Sequence, residues 1–180
     1  VAGLGNPGRQ YEGTRHNAGF LVLDELARRA AVSFRFEAKW DAEVAQCGGR
    51  LLMKPQTFMN LSGSAVANYA RYHRLEPSEV LVVLDDIAIP LGELRLRKSG
   101  SAGGHNGLES VLMHFSTEAV PRLRFGIGGT DGALEDHVLG KFQSAEVIPV
   151  EESVQRAADA AEYANAHGLE AAMNLYNKKP

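Results

Sequence analysis

Five residues able to move protons or hydrogen-bond a carbonyl lie in loops between apolar segments: His16, Asp85, Asn6, Asn60 and Asn106. A histidine beside a carboxylate buried at a strand end is a minimal general-base pair. The acid fixes the imidazole tautomer and stabilises the imidazolium formed when the ring takes a proton. The asparagine amides can donate to a carbonyl oxygen or accept from a substrate N–H without competing for that proton. The nucleophile is then open. Ser62 and Ser99 could complete a triad, but no G-x-S-x-G elbow occurs, and the two serines read better as a helix cap and a loop residue. A water is therefore the expected nucleophile. No His/Cys/Asp spacing resembles a metal site, so neither metal nor cofactor is expected.

His16 and Asn6 share one stretch, GLGNPGRQYEGTRHNAG from Gly3 to Gly19, whose five glycines give more backbone freedom than a strand-to-helix turn requires. Gly3, Gly5 and Gly8 spell G-x-G-x-x-G, with Asp24 near the offset of a ribose-binding acid. In a dinucleotide fold the third glycine stands where the helix opens. Here Pro7, Tyr11, Gly13 and Thr14 postpone helical periodicity to about Ala18, which argues against that reading.

The elements that must position these residues follow from periodicity. Apolar residues at Phe20, Leu23, Ala27 and Ala30 mark a helix over 18–30 with Asn17 as its N-cap. Val32, Phe34 and Phe36 alternate as a short edge strand. Segments 43–47 and 50–54 flank Gly48-Gly49 as a hairpin, with Cys47 an apolar filler at its tip. KPQTFMNLSG is a loop carrying Asn60, before a helix over 62–74 capped by Ser62. The apolar run 80–84 reads as a strand covered on both faces and ending at Asp85. Leu94 and Leu96 alternate with Arg95 and Arg97; SGSAGGHNG follows, then a helix from about Asn106 to Phe115, a strand over 123–127, a long helix over 144–167 closed by Gly168, and a last helix over 169–176.

Strands alternating with helices, plus one hairpin, imply an α/β, single-domain sandwich in which helices flank a central mixed sheet, spanning 1–180 with a trimmed first strand. Ligands bind outside the carboxyl ends of strands in such sheets, so the unusual loops can meet in one crevice. The bland readings are that Asn6-Pro7 and Asn106-Gly107 are turn chemistry, Asp85-Asp86 ends a strand, and His73 and His114 serve packing. His137 and His167 read as solvated or capping, and His105 stays ambiguous.

At 180 residues with 44% apolar and 23% charged residues, the composition is that of one soluble domain without a membrane span. One cysteine excludes an intrachain disulfide and fits a reducing cytosol. The net charge of −3 offers no global attraction for nucleic acid. Charge is segregated, however: residues 91–124 hold five basic against three acidic groups and 141–180 hold four against six, as a local phosphate-binding patch would need.

GLGNPG with Tyr11 and Thr14-Arg15-His16-Asn17-x-Gly19, KPxTFMNxSG, an apolar strand ending in Asp85, GxxGGHNG and RLRFGIG occur in order over nearly the whole chain. Together they resemble the bacterial peptidyl-tRNA hydrolase family. The resemblance implies a monomeric, metal-independent cytoplasmic esterase that cuts the bond between a peptide's C-terminal carbonyl and the 3′-terminal ribose of tRNA. Its base would be His16, its orienting acid Asp85, and the residue favouring blocked over free aminoacyl groups Asn6. Tyr11, Phe58, Met59, Asn60 and Asn106 would contact substrate, and Arg97 and Arg124, with neighbouring Lys98, would hold the tRNA 5′-phosphate. Arg97 stands where a lysine is usual and Ala88 where a second aspartate is usual. A relative class of this fold serves RNA splicing without hydrolysis, so an RNA-binding scaffold is the alternative.

Overall fold

The computed structural model describes residues 1–178. Among them, seven strands form one sheet: β1 (Ala2–Gly3), β2 (Arg35–Glu37), β3 (Ala42–Cys47), β4 (Arg50–Pro55), β5 (Val82–Asp86), β6 (Leu94–Arg97) and β7 (Arg122–Gly126), in the order β2-β3-β4-β1-β5-β7-β6. The inner four strands, β4, β1, β5 and β7, run parallel, while β2, β3 and β6 are antiparallel to their neighbours. The expected mixed sheet and the Gly48-Gly49 hairpin are both present, and the two glycines take the positive φ values, 51° and 80°, that the turn requires.

Alternating strand residues feed two cores. Val83, Leu123 and Phe125 pack with Val22, Leu23 and Leu26 of helix α1 (Ala18–Arg29) and with small residues of α5 (Val147–His167) and α6 (Leu169–Tyr176). Val82 and Leu84, on the other face, pack with Val66 and Tyr69 of α2 (Ser62–Tyr72) and Leu108 and Val111 of α3 (Asn106–Phe115). The short helix α4 (Leu134–Leu139) has no buried residue, which is why the sequence reading passes over it. Pro149 sits in the first turn of α5, where its missing N–H has no helical partner to lose. Among the described residues no helix is long and apolar enough to cross a membrane.

The caps differ from expectation. Asn17 caps nothing with its side chain, which instead closes a pair of hydrogen bonds with the Asn6 backbone. Ser62 is the first residue of α2, not its cap, and its buried hydroxyl has no partner among the described residues. The dinucleotide reading fails on geometry as well: Gly8 precedes two 3₁₀ turns, and Asp24 is held by Lys54 at 2.7 Å.

Gly19 fixes how α1 meets the sheet. A Cβ there would lie 2.5 Å from the backbone of Leu4 and from the Val83 carbonyl, so only glycine lets the helix cross this close to β1 and β5. The approach brings His16, three residues upstream, over the strand ends. Gly19→Ala is expected to cost at least about 1–3 kcal/mol in urea unfolding, the usual range for forced overpacking. Unchanged stability would mean that the helix can slide away without loss.

Candidate active site

The carboxyl ends of the parallel strands and the starts of α3 and α4 enclose a crevice of about 680 Å³. Its wall includes Asn6, His16, Asn60, Asp85, Asp86, His105 and Asn106, with Phe58, Met59, Leu134 and Val138 as the apolar part. Loops that are remote in sequence thus meet where the strand order switches, around β1. Tyr11 lies on a turn outside this wall, and so do Ser62 and Ser99. No serine, threonine or cysteine lines the crevice among the described residues.

At its floor, His16 Nδ1 lies 2.9 and 3.0 Å from the two oxygens of Asp85, which is 2% exposed. The sequence reading misses a third member. His105, the N-cap residue of α3, places Nε2 2.9 Å from Asp85 Oδ1, and its Nδ1 accepts a hydrogen bond from the Leu108 N–H at 3.2 Å. That backbone donor assigns the tautomer: His105 Nδ1 carries the lone pair, so Nε2 carries the hydrogen and donates to Asp85. Burial alone would raise the Asp85 pKa. The electrostatic attraction and N–H bond of His105, followed by the N–H bond of His16, more than offset it and hold the carboxyl well below the usual range.

An ionised Asp85 takes the Nδ1 hydrogen of His16 as its second bond. The Nε2 lone pair of His16 is then left over for a proton. His16, Asp85 and His105 also have the spacing of a metal-ligand group. Coordination through His105 Nε2 would move its hydrogen to Nδ1, against the Leu108 N–H, so the cluster is built around protons.

Asn6 is equally constrained. Its Oδ1 accepts from the Met59 N–H at 2.8 Å, its backbone is clamped by Asn17, and its Nδ2 has no partner among the described residues. The outcome is a preorganised N–H donor in a buried position beside the histidine loop. Asn60 and Asn106 are exposed on the wall.

A family model described as peptidyl-tRNA hydrolase matches residues 1–180. The chain belongs to the peptidyl-tRNA hydrolase family. It is 48% identical over 182 residues to the peptidyl-tRNA hydrolase of Akkermansia muciniphila, covering 100% of this chain and 96% of that one. It is likewise 48% identical to that of Synechococcus sp. (strain JA-3-3Ab), covering 98% and 81%. The crystal structure of peptidyl-tRNA hydrolase from Acinetobacter baumannii superposes with a TM-score of 0.91 at 32% identity, covering 99% of this chain and 93% of that one.

In this peptidyl-tRNA hydrolase family member the basic segment forms one face of the β6–β7 edge. Arg95 stands opposite Arg124 and Arg97 opposite Arg122, so the four share a side of the sheet. They are not equivalent. Arg122 is buried and spent on the carbonyls of Gly100, Glu118 and Val120. Arg124 is paired through Nε with Asp86, at the crevice wall, while its terminal nitrogens have no partner among the described residues. Arg97 is exposed without an ion-pair partner among the described residues. Lys98 pairs with Glu170 at the surface, a contact weak enough in water to give way to a phosphate.

Proposed function

We propose that the chain hydrolyses the ester joining a peptide, or an N-blocked amino acid, to the 3′-terminal ribose of tRNA, with His16 as general base on a water. One observation carries the mechanism: Asp85 and His105 fix hydrogen positions so that His16 Nε2 is a free lone pair in a crevice without a hydroxyl or thiol nucleophile. A water donates its proton to that nitrogen as its oxygen bonds the ester carbon. The oxyanion accepts from the Asn6 amide, and collapse expels the ribose oxygen, which takes the proton back from the imidazolium. The products are a peptide acid and tRNA with a free 3′-terminal ribose hydroxyl.

Phe58, Met59, Asn60 and Asn106 would contact the acyl end. A free α-ammonium group brings only donors to the Asn6 Nδ2 donor, which supports preference for blocked substrates. Family membership supports action in the cytoplasm during translation, as a monomer. The scaffold alternative leaves the His16–Asp85–His105 arrangement without a purpose. Release of N-acetylated amino acid from charged tRNA, with the unblocked aminoacyl-tRNA as control, tests the reading: blocked substrate should be cleaved far faster, and equal or absent cleavage would contradict it.

For the RNA end we propose Arg97, Lys98 and Arg124. A net-acidic chain must hold a polyanion through few cations, so log affinity against log salt should slope only about −2 to −3 for two or three phosphates. A terminal phosphate offers a forked target that an internal diester lacks. Arg97→Ala with Arg124→Ala should abolish any preference for tRNA bearing a 5′-phosphate and leave a minimal substrate without the 5′ end unaffected. Persistence of the preference would place the contact elsewhere.

A further inference from the structure

Arg15, the neighbour of His16, is a buried charge that the mechanism above does not use. Its side chain is 7% exposed, and all of its polar contacts go to one distant segment, the strap 140–146 that leaves α4. The guanidinium donates to the Lys141 carbonyl through Nη1 and to Glu146 Oε2 at 2.6 Å through Nη2, while its plane lies 5.0 Å from the Phe142 ring centroid. The Arg15 backbone N–H adds a bond to the Gly140 carbonyl at 3.0 Å, and Thr14 pairs with Lys141 as an isolated antiparallel bridge. Arg15 Nε is buried without a partner, so this placement is not the one that best satisfies the guanidinium.

The strap continues directly from α4, whose Leu134, Glu135, Val138 and Leu139 form one wall of the crevice. α4 fully buries none of its residues and packs on the core only through the half-buried Val138, so the strap that follows it carries much of what fixes its distance from the floor. The opposite end of its connection carries Gly128, at φ 73°, whose carbonyl His137 Nε2 holds at 3.0 Å within the same segment. Only the downstream end is therefore tied by side-chain charge to the loop that bears the histidine.

We propose that Arg15 is a positioning residue that sets the spacing between the α4 wall and His16, and so selects acyl groups whose C-terminal side chain is large and apolar enough to reach Leu134, Val138 and Leu139. A buried ion pair is poor evidence of stability, but a planar guanidinium whose two ends reach two acceptors, the Lys141 carbonyl and Glu146, fixes geometry well. Loosening the wall weakens contact with such a side chain, whereas a glycyl ester, with nothing to place there, is indifferent. The inference rests on the hydrolase reading and adds a specificity element to it.

The test compares N-acetyl-phenylalanyl and N-acetyl-glycyl esters carried on one tRNA. Arg15→Lys keeps a charge for Glu146 but loses the fork. It should raise KM for the phenylalanyl ester about tenfold, the scale of a lost apolar contact, with kcat within about twofold and the glycyl ester barely changed. Glu146→Gln, a milder change at a half-buried site, should move the phenylalanyl KM the same way by about threefold. Parallel losses for both esters, a loss confined to kcat, or no change in either variant would overturn the proposal. If the unmodified protein releases neither acyl group, the hydrolase reading fails and this inference falls with it; if it releases both and the variants treat them alike, only the inference falls.

Discussion

His16→Ala is expected to lower kcat/KM for an N-acetylated aminoacyl-tRNA by ~10²- to 10⁴-fold, the contribution of one well-placed general base. Affinity for the bare tRNA product should stay near that of the unmodified protein. The imidazole is engaged through Nδ1 with Asp85 and bonds none of Arg97, Lys98 and Arg124, so removing it takes nothing from the proposed phosphate contacts. The ring is about one-seventh exposed and lies against the crevice, so its loss leaves a polar hollow that water can fill and not a strained core. Steady-state kinetics with inhibition by deacylated tRNA separates the two quantities. Near-normal turnover would remove His16 from the chemistry, and an equal loss of tRNA affinity would mean that the ring serves binding.

Asp85→Asn should be about as damaging, ~10²- to 10⁴-fold, for a reason specific to this site. The carboxylate accepts two N–H bonds, from His16 Nδ1 and from His105 Nε2. An amide has one oxygen to accept with. Because the Leu108 N–H locks His105 as a donor toward residue 85, the amide oxygen takes the Oδ1 place, which both rings reach at 2.9 Å, and the amide nitrogen takes the Oδ2 place, 3.0 Å from His16 Nδ1. The amide N–H then competes for the His16 Nδ1 lone pair and favours the tautomer with the hydrogen on Nε2, the atom that should be taking one. Loss of the anion also disfavours the imidazolium, so the acid limb of any remaining pH–rate profile should move to lower pH. Adding His105→Leu frees the amide to turn, and about tenfold of the rate should return. A double variant no better than Asp85→Asn alone would show that His105 does not dictate the tautomer.

Much of this site is legible in the sequence, and what is missing has a pattern. The hairpin at Gly48-Gly49, the doubly covered strand before Asp85 and the helix after Asn106 are local signals, carried by turn chemistry and by periods of two and 3.6. The His16–Asp85 pair can be found because a strand end and a glycine-rich loop are each recognisable alone. His105 cannot be found in the same way. Its role depends on α3 beginning opposite β5, a contact made through β6 and the loop after it, and no spacing encodes it. Asn17 misleads for a related reason: it holds the right position for a helix cap, yet tertiary packing gives its amide to Asn6 instead. Charges are read least well. Five basic residues in 91–124 look interchangeable, but Arg122 is consumed by four backbone carbonyls and Arg124 is partly held by Asp86. Helix α4 leaves no trace because a six-residue helix with no buried face has no period to show.

The central claim is that a proton goes from water to His16 Nε2 while Asp85 stays ionised. The most direct measurement is kcat/KM against pH, on an N-acetylated aminoacyl-tRNA, for the unmodified protein and His16→Ala together. Asp85 is held well below the ordinary carboxylate range, so it remains charged throughout and contributes no limb of its own above mildly acidic pH. The account predicts a single rising limb in the unmodified protein, from the base losing its proton, and a low profile without that limb in His16→Ala. A limb of the same midpoint surviving in His16→Ala would contradict it.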